Sequence, residues 1–428
     1  MAASFPDSAP IPFVTCPSSG SYPPASTSNR VPPVEPAAAS PRVAVPVRVS
    51  LFGSLPATHL VASVIVPAKN EVATLGPTLA ALAAQVDFAG RPWDPRCFEV
   101  LVLANNCSDQ TAAVARAFAQ AHPAFALHVH ELTLPPGEAH IGRARRLLMD
   151  EACHRLEQAG NPHAFLVSTD ADTCVSPTWL AAIQAELRAG NDAVGGRILT
   201  GTPEGSKCAA RYQHLRDTTY RVLRARLESL VDPDPADPWP RHHQHFGASL
   251  ALTPQAYRRV GGLPVVPYLE DEALYQCLRR HDLRVRHSPR VQAVTSDRRT
   301  GRVAVGLSWQ LRQWDSMRQQ QQEFLVESPQ GLRLEWQARN QLRRHWQLPH
   351  QPSLPNQTLC ELASTLGVSR TGLAQQLRAA DTFGSLWHWV ERSRQAAGHQ
   401  LPHQSPIPLG QALAELRHLI RQHEQAGN

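Results

Sequence analysis

Ala164-Phe165-Leu166-Val167-Ser168-Thr169-Asp170-Ala171-Asp172 is the stretch that decides how this chain is read. The apolar run at 164–167 has the length and composition of a buried strand. Ser176-Pro177-Thr178-Trp179 then reads as a helix start, a capping hydroxyl with proline at the first helical position. Two carboxylates one residue apart, at the carboxyl end of a strand, address one spot above the sheet edge. Hard oxygens held there suit Mg²⁺ or Mn²⁺, which keep several waters and take further ligands from phosphates. The plain alternative is that acids in such a turn are solvated or cap the helix that follows.

Working outward, the same plan recurs upstream. Val61 to Val66 is a β-rich run that ends in Pro67-Ala68-Lys69-Asn70-Glu71, and a helix follows with Leu75, Leu79 and Leu82 on one face. Phe98 to Leu103 reads as a strand, Asn105-Asn106-Cys107-Ser108-Asp109 as a polar turn, and a helix carries Val114 and Phe118. Phe125 to Val129 is a third strand, before a helix in which Ala144, Leu148 and Ala152 recur every four residues. Strands alternating with helices predict a parallel, doubly wound sheet, whose ligands bind outside the carboxyl ends of the strands. The turns at Asn70-Glu71, Asn105 to Asp109 and Asp170 to Asp172 all fall on that rim, and their convergence says more than any one of them.

Downstream the alternation ends. A helix is expected from about Lys207 to Leu230, then an irregular loop through Asp232-Pro233-Asp234-Pro235, then His242-His243-Gln244-His245. Those histidines lack regular metal-ligand spacing and read as a solvated or acceptor-facing loop. Ala248 to Leu252 is a further strand. Glu270-Asp271-Glu272 opens a helix, where acids are favoured by the dipole, or else supplies a general base. Leu283 to His287 and Val291 to Thr295 read as two short strands. Arg298, Arg299 and Arg302 near Gly301 are either a pyrophosphate clamp or a solvated basic turn. From about Ser308 the chain is helical, and Leu359 to Leu377 has the rhythm of a helix-turn-helix. The last helix, Leu409 to His423, is amphipathic.

Composition sets the bounds. A chain of 428 residues has room for more than one domain, and residues 1–60, rich in proline, serine and alanine, are expected to form a disordered leader. A body at 61–305 and a helical region at 306–428 follow. The formal charge of +6 is carried almost wholly by arginine, since Lys69 and Lys207 are the only lysines. That charge is too mild to imply a nucleic-acid partner. Eight scattered cysteines without a Cys-x-x-Cys argue against a zinc site or a disulfide framework. No apolar run approaches the roughly 20 residues of a membrane span, and no signal peptide is apparent, so a soluble, cytoplasmic protein is expected.

Taken together, residues from about Val61 to Arg302 resemble the family 2 glycosyltransferases. The resemblance rests on Val64-Ile65-Val66-Pro67-Ala68-Lys69-Asn70-Glu71, Asn106-Cys107-Ser108-Asp109-Gln110-Thr111, Ala144-Arg145-Arg146, Asp170-Ala171-Asp172, Gly261-Gly262 and Glu270-Asp271, in that order. It implies the nucleotide-sugar-binding fold called GT-A, an α/β doubly wound mixed sheet flanked by helices. It also implies inverting, metal-dependent transfer of a sugar from a nucleotide-diphosphate sugar donor to an acceptor hydroxyl. Pro67, Asn70 and Glu71 would line the nucleotide pocket, with Asn105 to Asp109 beside base and ribose. Arg145, Arg298 and Arg302 would serve the donor, Asp172 would ligate Mg²⁺ or Mn²⁺, and Asp170 would contact ribose or the metal shell. Asp271, with Glu270 beside it, would form the catalytic pair, Asp271 taking the acceptor proton.

The sequence departs from the family in three places. Many members carry an aspartate where Ala104 or Asn105 stands, Arg146 replaces the asparagine of Ala-Arg-Asn, and Gln310-Leu311-Arg312-Gln313-Trp314 only approximates the Gln-x-x-Arg-Trp of processive members. A single-transfer enzyme without a transmembrane anchor is therefore expected. Two rivals stand beside it. One is a nucleotidyltransferase on a related fold, although Pro67 to Glu71 lacks the glycines of its loop. The other is a non-catalytic protein acting through the C-terminal helix pair.

Overall fold

The computed structural model describes residues 50–201, 209–298, 301, 306–320, 322–348, 354–397 and 405–426. The expected leader up to residue 49, and Arg302, lie outside them. Residues 50–60, expected to belong to that leader, are packed onto the body. Phe52 and Leu60 are buried, Ser50 bonds Glu151, and Arg155 donates to the Ser54 carbonyl at 2.6 Å.

β1 (Ala62–Ala68), α1 (Leu75–Ala83), β2 (Phe98–Asn105), α2 (Thr111–Ala121), β3 (Leu127–Leu132), α3 (Ile141–Ala159) and β4 (Phe165–Ser168) follow the alternation read from the sequence. β1 pairs in parallel with both β2 and β4, and β2 with β3. Their side chains are apolar on both faces because both faces are covered. Val64, Val66, Val100 and Val102 join Leu75, Leu79 and Leu82 of α1 in one core layer. Ile65, Leu101, Leu103 and Leu166 join Ala144, Leu148 and Ala152 of α3 in the other.

Next come β5 (Thr173–Val175), α4 (Trp179–Arg188), β6 (Ala193–Thr200), α5 (Ala209–Val231), β7 (Leu250–Leu252), α6 (Pro254–Arg259), α7 (Glu270–Arg280) and β8 (Val285–Thr295). The eight strands lie in the order β3-β2-β1-β4-β7-β6-β8-β5. β7 runs antiparallel to β4 and β6, and β5 antiparallel to β8, so the sheet is mixed. Two local expectations change. The two strands expected at Leu283 to His287 and Val291 to Thr295 are one strand, β8 from Val285, which absorbs its Pro289 through a register shift opposite Gly196 and Arg197 of β6. α4 begins after Thr178 without a side-chain cap, and the Ser176 hydroxyl has no partner among the described residues.

The remaining elements are α8 (Leu307–Gln319), β9 (Leu325–Val326), α9 (Pro329–Trp346), α10 (Asn356–Leu366), α11 (Arg370–Ala379), α12 (Phe383–Ala397), β10 (Ile407–Pro408) and α13 (Leu409–Ala426). They do not stand apart from the body. Tyr220 and Leu227 of α5 share a core with Trp314, Trp336, Leu413 and Leu416. The expected helix pair is α10 and α11, whose Leu362, Leu366 and Leu373 pack with Leu386, Trp387 and Val390 of α12. Among the described residues no helix is long and apolar enough to cross a membrane.

Candidate active site

The carboxyl ends of β1, β2 and β4 open onto one cavity of about 1030 Å³. Pro67, Glu71, Asn105, Arg145, Asp170, Asp172, Glu270, Asp271 and Arg298 all line it. Asn70 and Asp109, expected beside them, serve the loops instead. β1 and β2 leave the sheet through left-handed turns at Asn70 (φ 56°) and Asn106 (φ 50°), conformations that asparagine tolerates better than most residues. Asn70 Oδ1 accepts from the Ser108 amide at 2.8 Å. The Asp109 carboxylate accepts from the Val72 amide at 3.2 Å and the Thr111 amide at 3.0 Å, opening α2.

Asp170 and Asp172 face the cavity with different partners. Asp170 Oδ1 accepts from Arg145 Nη2 at 2.5 Å, and the other end of that guanidinium is bonded to Glu270. Asp172 Oδ2 lies 3.1 Å from Arg298 Nη2, and Arg298 also grips both oxygens of the buried Glu71 at 2.5 Å. Arg298 thus joins Glu71 to Asp172 at the mouth of the expected donor site. Burial pushes the Asp172 carboxyl up to about 6, with the Asp170 charge adding to it and Arg298 opposing it. Burial also raises Asp170 against the pull of Arg145, and Asp271 and Glu71 add to the rise. Two crowded carboxylates of this kind gain from a cation. Among the described residues no three His, Cys, Asp or Glu side chains are grouped to hold one unaided. The pair therefore fits an ion that completes its shell with water and phosphate oxygens.

Asp271 enters from the first turn of α7. Leu269 before it adopts a left-handed conformation (φ 61°), a strained turn for a branched side chain, which starts the helix with Glu270 buried. Asp271 Oδ2 accepts from the Gly247 amide and Oδ1 from the Glu272 amide, both at 2.8 Å. Glu270, expected beside Asp271 as half of a catalytic pair, is 3% exposed and spends its carboxylate on Arg145.

Gly247 was not singled out from the sequence, yet it serves two partners. Its amide anchors Asp271, and a Cβ there would lie 2.4 Å from Cζ and Nη1 of Arg145. The guanidinium lies flat against the glycine. Gly247→Ala is expected to displace Arg145 from the Asp170–Glu270 pair, lowering the melting temperature and removing activity together. Unchanged melting with full activity would show that the guanidinium has room to move. The histidines at 242–245 are also placed differently from a solvated loop. His242 and His245 are buried, and His242 is pulled down to about 3 by burial and by His287.

An α/β sheet with a carboxylate-lined cleft outside its parallel strand ends defines the class. Residues 63–239 match the family model described as Glycosyl transferase family 2. That segment is similar to the family 2 glycosyltransferases. No curated protein matches the sequence. Among solved structures, the mannosyltransferase PcManGT from Pyrobaculum calidifontis, in complex with GDP-Man and Mn²⁺, has 17% identity. That match covers 81% of this chain and 91% of its own, with a TM-score of 0.40. TarS of S. aureus in complex with UDP-GlcNAc has 14% identity over 79% of this chain and 92% of its own, with a TM-score of 0.39. Glucosyl-3-phosphoglycerate synthase from Mycobacterium tuberculosis, with Mn²⁺, UDP-Glc and phosphoglyceric acid, has 18% identity over 55% and 70%, with a TM-score of 0.33.

Proposed function

We propose that this protein transfers a sugar, with inversion, from a nucleotide-diphosphate sugar to an acceptor hydroxyl. The observation that carries the reading is that Asp170 and Asp172 line one cleft with Asp271, about a hundred residues further along the sequence. Asp172, with Asp170 beside it, would hold Mg²⁺ or Mn²⁺ on the donor diphosphate. Bound there, the cation supplies charge that stabilises the departing diphosphate. Pro67, Glu71 and Asn105 form the nucleotide side of the cavity. Arg145 fixes the Asp170 carboxylate, and Glu270 fixes Arg145, so both act by positioning. Asp271 takes the acceptor proton once donor and acceptor are held in line.

The same set of roles predicts how binding depends on acidity. Asp172 holds its proton up to about pH 6, and a protonated carboxyl is a poor ligand. Mn²⁺ and donor affinity should therefore fall together as the pH drops through that value. Asp172→Ala should abolish Mn²⁺-dependent nucleotide binding at any pH. Calorimetric titration of nucleoside diphosphates and Mn²⁺ tests both expectations. Nucleotide affinity that ignores a chelator would remove the role given to Asp172.

A further inference from the structure

The acidic rim accounts for only one end of the cavity. Its other wall is formed by α5 and the 242–246 segment, and that wall carries polar atoms with no use in the donor site. Asp217 on α5 is 3% exposed; its Oδ2 accepts from Arg221 at 2.7 Å, while Oδ1 has no hydrogen-bond partner among the described residues. His245 is 7% exposed, stacks on Tyr275 at 3.8 Å, and has Nε2 2.7 Å from a Glu272 oxygen. Burial works to raise the Glu272 carboxyl, but His245 and other partners hold it down at about 2, so it accepts the Nε2 proton. The other ring nitrogen, Nδ1, has no partner among the described residues. Nδ1 of His243, on the same wall, likewise has no partner among the described residues.

Buried polar atoms without partners carry a cost that a ligand's hydroxyls, which both donate and accept, would remove. The same cavity presents two rings to solvent, Phe246 at 38% exposure and Tyr268 at 40%. Charge narrows the ligand further. Among the described residues, all nine arginines that line the cavity have a carboxylate partner, from Arg145 with Glu270 to Arg394 with Glu335. Among the described residues the wall therefore has no uncommitted guanidinium to meet a phosphate or carboxylate. Arg221 likewise neutralises Asp217, which removes the pull on an amine.

We infer that Asp217, His243, His245 and the Phe246 and Tyr268 rings form the acceptor subsite, and that the acceptor is an uncharged saccharide. Its hydroxyl edge meets the unpartnered polar atoms and its C–H face meets the rings. This inference rests on the glycosyltransferase reading, since it takes the cavity's other end for the donor.

The test measures binding without turnover. Saturation-transfer NMR on the full chain compares glucose, mannose and their neutral disaccharides with the matching sugar 6-phosphates. Nucleoside diphosphates with Mn²⁺ are titrated in parallel. A neutral saccharide is expected to bind in preference to its phosphate. In Asp217→Asn, Arg221 claims the amide oxygen and turns Nδ2 toward the cavity, reversing the polarity of the site. That variant and Phe246→Ala should each weaken saccharide binding about tenfold, the equivalent of one hydrogen bond or ring contact. Nucleotide binding should not change. Phe246 is exposed, so its replacement leaves the fold intact and the test valid even where Asp217→Asn misfolds. The inference is overturned by preference for the phosphates, by saccharide binding indifferent to Phe246→Ala, or by no saccharide binding alongside normal nucleotide binding. If the wild type binds no nucleotide at all, the glycosyltransferase reading fails instead.

Discussion

Asp271→Asn is expected to lower turnover roughly 10²- to 10⁴-fold, the usual worth of a general base, while nucleotide binding stays at its wild-type level. A carboxylate offers about four lone-pair positions, and two of those on Asp271 are taken by the Gly247 and Glu272 amides. The two amides stabilise the anion and fix its direction, which leaves the remaining lone pairs for an incoming hydroxyl. Asparagine keeps the size and one acceptor but has no basic oxygen to receive the proton. Its amide nitrogen would also face one of the two N–H groups, so a modest loss of stability is expected as well. Single-turnover measurements with saturating donor separate these effects. Should donor affinity fall in step with turnover, Asp271 would be holding the loop at Gly247, and the base would have to be sought elsewhere.

Much of this site was legible because its parts obey local rules. The apolar runs of β1, β2 and β4 announce strands covered on both faces, and the acids and amides after them fall on the carboxyl rim as expected. The partners of those acids were not legible. Arg145 meets Glu270 across 125 residues and Arg298 meets Glu71 across 227, and no local period encodes such a meeting. The sequence around Arg298 fits a phosphate clamp or a solvated basic turn, and neither describes its Glu71 bond. Asn70 and Asp109 show the converse. Short polar side chains bond their own loops as readily as a ligand, so a matching motif does not say which of the two they do. The helical C-terminus was visible as helices, but its core is centred on α5, a helix two hundred residues upstream. Nothing in the amphipathic pattern of α13 names its partner.

That seam between α5 and α9 carries the other large expected effect, on stability. Asp232, at the end of α5, has a fully buried side chain bonded to Arg339 and Arg343 of α9. Glu228, one turn earlier, lies 2.5 Å from Arg339 and 3.0 Å from Arg241. Burial works to raise the Glu228 carboxyl, and Arg339, Arg241 and Arg224 overcome it, holding it well below its ordinary 4.5. Arg339→Met keeps the apolar stem and removes the charge that both carboxylates share. Breaking a buried pair from one side costs about 3–5 kcal/mol, and the surviving Arg343 bond places this variant near the lower figure. Arg343→Met should cost less, because that side chain is 26% exposed. Urea unfolding of the two variants checks the order, and equal losses would mean that the network shares its charge evenly. Acidity gives a second readout. Folded Glu228 binds a proton less readily than the unfolded chain does, so its stabilisation is complete above pH 4.5 and drains away as acid is added. Without Arg339 its carboxyl should titrate closer to the ordinary value, and the acid-dependent part of the stability should shrink with it. Because Glu228, Asp232 and Arg339 also line the cavity, any widening of the α5–α9 seam in this variant would reach the wall assigned to the acceptor.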